Sequence, residues 1–299
     1  SWCPWTKKEV DKGRAGSETW AAYLALAFAR RGYGVVIYNH LPDEDQGVFL
    51  KEEYDVDKSL FRENEGIDKG YVAYRHYTHL EEDLRYDMVD YLISSRTVET
   101  FRASIHAVRR YAMIHDIWLS QDREYDILSW KTDGYGYLSE WHKDFLQQHH
   151  NMPEDKMFLT ANGVNFDLYK DVDIIEKKNQ IVYSSSPDRG LHNLLKIFPR
   201  LREAMPDLKL VVAYGFYNWE SAVKARGDEN GMALIKEIKE AMEQPGVEYV
   251  GRVSKDELAN YQMESKWWFY PTWFTETFCI GSVENGLAKN AILSTNLQD

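Results

Sequence analysis

The chain has 299 residues and a net charge of −12, with 48 acidic and 36 basic side chains. This length predicts two domains, and the acidic excess disfavours a groove that binds the phosphates of duplex nucleic acid. The chain has two cysteines, Cys3 and Cys279, and no apolar run of about 18 residues, so we expect neither a disulfide framework nor a transmembrane helix.

Helix and strand patterns alternate along the first half of the chain, which predicts a parallel sheet covered by helices. The first helix is predicted over residues 17–31, with Gly32 as its stop signal. A strand follows over residues 34–40, and the acidic, irregular residues 42–70 predict a loop or a charged surface insertion. The remaining elements of this half are strands at 87–95, within 109–119, at 134–139 and at 155–164, and helices at 97–107 and 140–150.

A polar stretch over residues 169–180 predicts the boundary between two domains, 1–172 and 173–299. The second domain repeats the alternation of strands and helices. Its helix at 254–265 begins with Ser254 and Glu257, which have the spacing of a capping box. The other elements are strands at 181–185, 208–216, 247–253, 266–271 and 291–296, and helices at 190–205, within 230–243 and at 277–290.

Ligands of open parallel sheets bind at the carboxyl ends of the strands, so the loops that follow predicted strands are the first places to look. Gly13 and Gly16 form a glycine-rich motif that opens the first helix, where glycines and a helix N-terminus suit an anion, although a glycine-rich turn before a helix is ordinary. Arg189 follows three serines at another helix start and could bind an anionic ligand. Alternatively, it could pair with Asp188 or another acid in a solvated loop. The backbone of Arg252 and Val253 could meet a flat ring, although a plain turn has the same pattern.

The segment TETFCIGSVENG carries two carboxylates, Glu276 and Glu284, after an apolar strand. If a helix began at Glu276, the two would lie about 12 Å apart along its axis. They could then accept hydrogen bonds from hydroxyls at two points of one long ligand, with a phosphate at the helix N-terminus between them. Two exposed glutamates on a surface helix are the alternative. His115, at a predicted strand end, could donate to a sugar hydroxyl or an anionic leaving group, although a lone histidine is more often structural.

These motifs occur in a characteristic order: AGSETW, HD, LSEWHK, NGVNFDLY, SSSPDRGLHNLL, VGRVSKDELANYQ and E-x7-E. The set resembles the retaining glycosyltransferases of the GT-B fold, and more narrowly their large fourth family of nucleotide-sugar-dependent enzymes. The resemblance implies an α/β fold of two Rossmann-like domains whose parallel sheets face across a cleft. It implies that residues 1–172 form the acceptor-side domain and residues 173–299 the nucleotide-sugar-binding domain.

The resemblance also implies a role for each matching residue. Glu284 matches the glutamate that binds the ribose hydroxyls of the donor, and Glu276 matches the one that contacts the donor hexose. His115 matches a histidine beside the donor sugar near the leaving group, so that His115 and Glu276 are the implied catalytic pair. Further implied donor contacts are Gly16 and Arg189 at the diphosphate, Arg252 and Val253 at the nucleobase, and the amides of Thr277, Phe278 and Cys279 at the sugar and diphosphate.

The sequence departs from the family pattern at three places. Thr277-Phe278-Cys279 stands where many relatives carry Gly-Phe-Gly, which narrows the room for the hexose. An arginine of the family is replaced near Ser184, so Arg189 is the one cation assigned to the diphosphate. Relatives also have a strand ahead of Ser1 and continue past residue 299, so we expect a chain truncated at both ends.

The resemblance implies a retaining glycosyltransferase that moves a sugar from a nucleoside-diphosphate sugar to an acceptor hydroxyl. No metal, other cofactor or nucleic-acid partner is expected, and the cysteine usage fits a reducing, cytoplasmic location. A metal-dependent transferase with an Asp-x-Asp pair is one alternative, with candidates at Asp43-Asp45, Asp55-Asp57 and Asp171-Asp173. A non-catalytic module that binds a nucleotide or carbohydrate is the other.

Overall fold

The protein divides into two compact units, Ser1–Gly163 and Val164–Asp299. The sequence places the domain boundary after residue 172, and that boundary remains a prediction. None of the described helices is long and apolar enough to cross a membrane. The structure, a computed structural model, describes residues 4–12, 16–41, 50–60, 68–117, 119 and 128–297.

The N-terminal unit contains two separate sheets in its described part. One has the strand order β1-β3-β2 and the other β4-β5-β6-β7. All pairs are parallel except β2 with β3. The strands are β1 (Gly34–Asn39), β2 (Leu50–Asp55), β3 (Lys69–His76), β4 (Met88–Ser95), β5 (His106–Met113), β6 (Gly134–Tyr137) and β7 (Met157–Leu159). The helices are α1 (Lys7–Asp11), α2 (Gly16–Ala29), α3 (Leu80–Asp83) and α4 (Glu140–His150).

Helices α2 and α4 form where the sequence predicts them, for local reasons. Helix α2 is rich in alanine, a strong helix former, and Ala22, Ala25 and Ala29 pack their small side chains into the core formed with β3. Helix α4 begins at Ser139, whose side chain accepts a hydrogen bond from the His142 amide. Its position beside the parallel strands gives the unit the predicted α/β character.

Two predictions for this unit are wrong. Residues 42–70 are not a loop throughout, because β2 lies within them and β3 begins at Lys69. Residues 97–107 do not form a helix: they contain a short 3-10 turn at Glu99–Arg102 and the first residues of β5. The helical spacing there arises because Val98, Phe101 and Ile105 are all buried in the core beside β5.

The C-terminal unit is a single five-stranded sheet with the order β10-β9-β8-β11-β12, all parallel. Its strands are β8 (Lys178–Tyr183), β9 (Lys209–Val212), β10 (Val247–Tyr249), β11 (Ser265–Tyr270) and β12 (Ala291–Ser294). Its helices are α5 (Leu191–Ala204), α6 (Tyr217–Arg226), α7 (Glu229–Ala241), α8 (Lys255–Glu264) and α9 (Ile280–Leu287). Helix α6 has no counterpart among the predicted elements.

The sheet of this unit reverses its strand order between β8 and β11. From β8 the chain adds β9 and β10 on one side, and then returns to place β11 and β12 on the other. Such a switch point opens a crevice at the carboxyl ends of the two central strands, where ligands of α/β sheets bind. The core below it contains Tyr183, Phe198 and Trp268, all buried. The fold therefore directs attention to the loops after β8 and β11.

Two local predictions for this unit have different outcomes. The capping box of α8 is present, because Ser254 and Glu257 each accept from the other's backbone amide. Helix α9, however, begins at Ile280 with Cys279 as its N-cap, so the prediction of a helix from residue 277 is wrong at its start. Glu276 consequently lies in the loop before the helix, and the helical estimate of its separation from Glu284 does not apply.

Gly190 joins the loop after β8 to α5, and we expect it to tolerate no side chain. Its φ is +104°, and a Cβ there would lie 2.1 Å from the carbonyl oxygen of Pro271. Gly227 provides a matched control, because its φ is +65° and a Cβ there would meet nothing within 4 Å. Gly227→Ala should lower the free energy of unfolding by about 1–2 kcal/mol, the cost of the left-handed backbone. Gly190→Ala should lower it by more than about 3 kcal/mol, as measured by urea denaturation, and equal losses would contradict this contact.

Candidate functional site

Arg189 and Glu276 meet at the switch point of the C-terminal sheet. Arg189 lies in the loop between β8 and α5, and Glu276 in the loop after β11. The Arg189 guanidinium donates to Oε1 of Glu276 at 2.9 Å, and both side chains are partly exposed. The expected alternative, in which Arg189 pairs with Asp188 or another acid, is met in part, because the acid that Arg189 contacts is Glu276. A cation and a carboxylate thus stand together where this fold binds ligands.

Two aromatic side chains hold this pair in place. The Tyr270 hydroxyl, at the end of β11, donates to the same Oε1 of Glu276 at 2.7 Å. Burial and then the Glu276 charge raise the pKa of Tyr270, so its phenol remains a donor at neutral pH. The Phe274 ring lies 3.7 Å from the centre of the Arg189 guanidinium, in a cation–π contact. Both charged groups are therefore held in place by their neighbours. The phosphate of a ligand could pair with Arg189, and a hydroxyl of the same ligand could donate to Glu276.

Glu284 is buried within α9, with 8% of its surface exposed. Lys255, in the first turn of α8, donates to its Oε1 at 3.0 Å. Gln262 donates to its Oε2 at 3.5 Å, and the Tyr169 hydroxyl in turn donates to Gln262 at 2.6 Å. A buried carboxylate held by a lysine and an amide has a defined orientation, which suits the acceptance of hydrogen bonds from two neighbouring hydroxyls.

The loop between β10 and α8 lies beside Glu284, because Lys255 directly follows it. Arg252 is exposed, and its guanidinium lies 5.2 Å from the ring centre of Tyr214, which follows β9. Val253 is half-buried in the same loop. Residues 252 and 253 thus lie two or three positions before Lys255, which contacts Glu284.

Thr277, Phe278 and Cys279 connect the two carboxylates and are all half-buried. They precede α9 rather than form its first turn, with Cys279 packed against the core of the sheet. Burial and then the Glu276 charge raise the pKa of the Cys279 thiol to about 11. The thiol is therefore protonated at neutral pH and is a poor nucleophile.

In the N-terminal unit, the predicted site residues are Gly16 on α2 and His115 after β5 of the second sheet. Gly16 is the first residue of α2, and its neighbour in the sequence motif, Gly13, lies outside the described residues. His115 follows β5, is buried, and packs edge-on against Trp20 of α2 with 5.1 Å between ring centres. The next residue, Asp116, forms an ion pair with Arg96 at 2.7 Å. Through Trp20 the structure links His115 to the helix that Gly16 begins.

Two buried histidines of this unit predict a loss of stability in mild acid. Burial lowers the pKa of His115 to about 4, against an opposing effect of the Asp116 carboxylate, and burial lowers the pKa of His142 to about 4 as well. An unfolded histidine titrates near pH 6.5. Between these values the unfolded chain binds more protons than the folded one, so the free energy of unfolding falls as the pH falls.

We expect each of these histidines to contribute a loss of about 2 kcal/mol between about pH 6.5 and pH 5. Urea denaturation at a series of pH values measures it. A His142→Asn variant should show a shallower decline than the unchanged chain. His106→Asn, a control at an exposed position, should keep the original slope. A decline that is unchanged in His142→Asn would contradict this account.

The three Asp-x-Asp pairs show no metal-binding arrangement in the described part of the chain. Asp43 and Asp45 lie outside the described residues. Asp57 accepts hydrogen bonds from the amide and hydroxyl of Ser59, and Asp173 pairs with Lys289. Among the described residues, no three His, Cys, Asp or Glu side chains are grouped as metal ligands.

Sequence reasoning missed several residues of the site. Tyr214 and Tyr270 were within reach, because both stand at strand ends. Phe274 and Gln262 carry no comparable signal, since an aromatic and an amide at these positions are ordinary. Lys255 follows a recognisable capping box, but its contact with Glu284 depends on how α8 and α9 pack together.

Comparisons with known proteins place these features in context. No protein-family model matches the chain. It is 26% identical over 170 residues to the lipopolysaccharide 1,2-N-acetylglucosaminetransferase of Salmonella typhimurium, a match that covers 52% of this chain and 42% of that relative. The chain thus matches less than half the length of this curated relative.

Solved structures of glycosyltransferases resemble the chain over most of its length. The sucrose-phosphate synthase of Thermosynechococcus elongatus matches with a TM-score of 0.61 at 13% identity, over 95% of this chain and 78% of that one. A glycosyltransferase of Rickettsia africae matches with a TM-score of 0.54 at 16% identity, over 74% and 61%. The pneumococcal O-GlcNAc transferase GtfA, in complex with UDP and GlcNAc, matches with a TM-score of 0.53 at 12% identity, over 73% and 44%. The α/β architecture with parallel sheets and these likenesses together show that the chain has the GT-B fold of glycosyltransferases.

Proposed function

We propose that the protein is a retaining glycosyltransferase that moves a sugar from a nucleoside-diphosphate sugar to an acceptor hydroxyl. One observation carries the proposal: a single segment at the switch point supplies Glu276, paired with Arg189, and the buried Glu284, paired with Lys255. A nucleotide sugar offers hydroxyls at both ends and two phosphates between them. The segment offers a carboxylate for the hydroxyls at each end, and Arg189, which pairs with Glu276, offers a cation for the phosphates.

The proposed roles follow from the chemistry of each side chain. Glu284 accepts hydrogen bonds from the ribose hydroxyls, and the backbone of Arg252 and Val253 lies against the base. Arg189 stabilises the negative charge that grows on the diphosphate as its bond to the sugar breaks. Glu276 contacts the hexose hydroxyls, close to Thr277. The amides of Phe278 and Cys279, and Gly16 and His115 in the N-terminal unit, keep their implied roles as predictions.

The reaction breaks the bond between the anomeric carbon and the diphosphate oxygen and forms one to the acceptor oxygen. The proton of the acceptor hydroxyl passes to the leaving diphosphate, so that no covalent intermediate is needed. The raised pKa of the Cys279 thiol is consistent with this, because a protonated thiol near Glu276 is a poor nucleophile. Arg189 supplies the positive charge that a metal ion supplies in other transferases.

The relatives support the class of donor. The curated relative is named an N-acetylglucosaminetransferase, and GtfA was solved with UDP and GlcNAc. We therefore propose a nucleoside-diphosphate sugar as donor and a carbohydrate hydroxyl as the first acceptor to test. A cytoplasmic location, where nucleotide sugars are made, is part of the same proposal.

A thermal-shift screen with UDP, GDP, ADP and their sugars, with and without Mn²⁺, tests this function. A ligand at about 100 times its Kd should add about 2.7 kcal/mol to the free energy of unfolding. We expect one base to raise the Tm without metal, and the corresponding sugar donor to be turned over with its anomeric configuration retained, as read by proton NMR. A shift that requires Mn²⁺ would favour the Asp-x-Asp alternative. Binding without turnover, with any acceptor or with water, would favour a binding module.

A further inference from the structure

Both oxygens of the Glu284 carboxylate are contacted by side chains of one neighbouring helix, α8. Lys255 and Gln262 lie two helical turns apart on that helix, and so on the same face of it. The Lys255 ammonium donates to Oε1 at 3.0 Å, and the Gln262 amide donates to Oε2 at 3.5 Å. Lys255 by itself would hold Oε1 and leave the plane of the carboxylate free to turn, so Gln262 is the contact that fixes the plane.

The amide of Gln262 is fully buried, so the protein itself must satisfy it. A carboxylate only accepts hydrogen bonds, and the amide therefore turns its NH2 group toward Glu284 and its oxygen away. That oxygen then needs a donor from another side chain. The Tyr169 hydroxyl supplies it, at 2.6 Å from Oε1 of Gln262. Tyr169, Gln262 and Glu284 thus form a chain of hydrogen bonds in which each bond fixes the direction of the next.

Tyr169 is brought to this position by a short 3-10 turn, Phe166–Tyr169, near the start of the C-terminal unit. Asn165 begins the turn, and its side chain accepts a hydrogen bond from the Asp167 amide at 3.2 Å. The Tyr169 ring is buried in a small core that includes Met263 of α8. Burial and then the Glu284 charge raise the pKa of Tyr169, so its hydroxyl keeps its proton. Packing therefore fixes the ring, and the hydroxyl donates to Gln262.

The Glu284 carboxylate keeps the capacity to accept two more hydrogen bonds. A carboxylate has about four lone-pair sites, and Lys255 and Gln262 use one on each oxygen. The remaining site on each oxygen suits two hydroxyls on neighbouring carbon atoms, as in the cis-diol of a ribose. The side chain is 11% exposed, so a ligand can reach it. A carboxylate presents both sites to one diol only while its plane is held, which gives the buried contacts a function in recognition.

We propose that Tyr169 and Gln262 are positioning residues of the donor site, which hold the Glu284 carboxylate in the orientation that recognises the cis-diol of a ribonucleoside diphosphate. The inference rests on the proposed role of Glu284, and it adds two residues that act through Glu284 rather than on the ligand. Loss of the Tyr169 hydroxyl would leave the Gln262 oxygen buried without its donor. The amide could then turn and release Oε2 of Glu284.

Tyr169→Phe tests this inference, because it keeps the packed ring and removes only the hydroxyl. The probes are the nucleoside diphosphate selected by thermal shift and its 2′,3′-dideoxy analogue, with both affinities measured by isothermal titration calorimetry. In the unchanged chain the compound with the ribose diol should bind at least about tenfold more tightly, as expected for hydrogen bonds to a charged group. In Tyr169→Phe this ratio should fall by about fivefold, while the affinity of the dideoxy analogue changes by less than about twofold.

Tyr137→Phe is the matched control for the lost hydroxyl. Tyr137 is also buried, and its hydroxyl donates to the Glu140 carboxylate at 3.3 Å in the N-terminal unit. This variant should keep both affinities of the unchanged chain.

A second comparison asks whether Tyr169 acts through Gln262. It uses Gln262→Met alone and Gln262→Met combined with Tyr169→Phe. If the two side chains form one chain of hydrogen bonds, their effects are not additive. The double variant should then distinguish the two nucleotides as well as Gln262→Met alone does.

The outcomes separate this inference from the proposed function. If no nucleoside diphosphate binds the unchanged chain, the proposed function fails and the inference fails with it. If the ribose and dideoxy compounds bind the unchanged chain equally, Glu284 is not a diol contact and the inference is wrong, although the donor class stands. If Tyr169→Phe distinguishes the two compounds as well as Tyr137→Phe does, the inference alone is wrong. An equal loss of affinity for both compounds would show that Tyr169 is merely structural, and additive losses in the double variant would show that it does not act through Gln262; either result would overturn the inference.

Discussion

Glu284→Gln is expected to weaken the binding of the nucleoside diphosphate by roughly 10- to 150-fold, with little change in the fold. The substitution keeps the size of the side chain and one acceptor oxygen, and removes the charge. Hydrogen bonds to charged groups contribute about 1.5–3 kcal/mol, and every 1.4 kcal/mol is a factor of about ten in affinity. Isothermal titration calorimetry with the nucleotide selected by thermal shift measures the loss.

Glu220 offers a matched control for this change. It lies on α6, where its carboxylate contacts Lys224 at 2.9 Å and Lys239 at 3.1 Å, so Glu220→Gln also removes a carboxylate from a lysine contact. Its affinity for the nucleotide should equal that of the unchanged chain. If Glu284→Gln binds every nucleoside diphosphate as tightly as the control does, Glu284 is not a ribose contact.

Because Lys255 pairs with Glu284, the Glu284→Gln variant is expected to change stability as well as affinity. The Lys255 ammonium is largely buried beside Glu284, so loss of the partner charge costs stability as well as affinity. The free energy of unfolding should therefore be measured alongside the affinity. A variant that is less stable yet binds normally would place Glu284 in the packing of α8 against α9 and outside the donor site.

Some helices and strands could be predicted from the sequence and others could not, for physical reasons. Strands β8 and β11 and helix α8 were predictable because apolar runs and a capping box are local signals. Strand β2 was missed because an edge strand carries charges and so lacks the apolar alternation that predicts a strand. Residues 97–107 were predicted as a helix because Val98, Phe101 and Ile105 have helical spacing, yet a single tight turn is enough to bury all three.

The candidate site residues could be named from the sequence, but their contact partners could not. Arg189 and Glu276 could each be picked out at strand ends, whereas their pairing depends on the switch from β8 to β11, 87 residues apart in the chain. The start of α9 was misplaced because no capping side chain marks it: its N-cap is Cys279, which makes no side-chain cap. Thus local sequence patterns indicated the candidate groups, and the order of strands in the sheet determined which of them meet.

Arg189→Met is expected to lower kcat by about 100- to 1000-fold, the loss typical when one preorganised donor to a developing anion is removed. Methionine keeps an apolar contact with Phe274 while it removes the guanidinium that pairs with Glu276. Because the charge on the diphosphate grows as the sugar leaves, the effect should fall mainly on kcat, with a smaller change in KM. Release of the nucleoside diphosphate measures turnover, with water as acceptor if no sugar acceptor is known.

Arg252→Met is the matched control for this prediction, since Arg252 also lies over an aromatic ring, that of Tyr214, and is exposed. Its proposed contact with the nucleobase is made by its backbone, so kcat should change by less than about threefold. The contrast between the two arginines separates a specific charge at the diphosphate from a general loss of positive charge. If both variants retain kcat, neither guanidinium acts on the leaving group, and the positive charge that stabilises it must come from elsewhere in the protein.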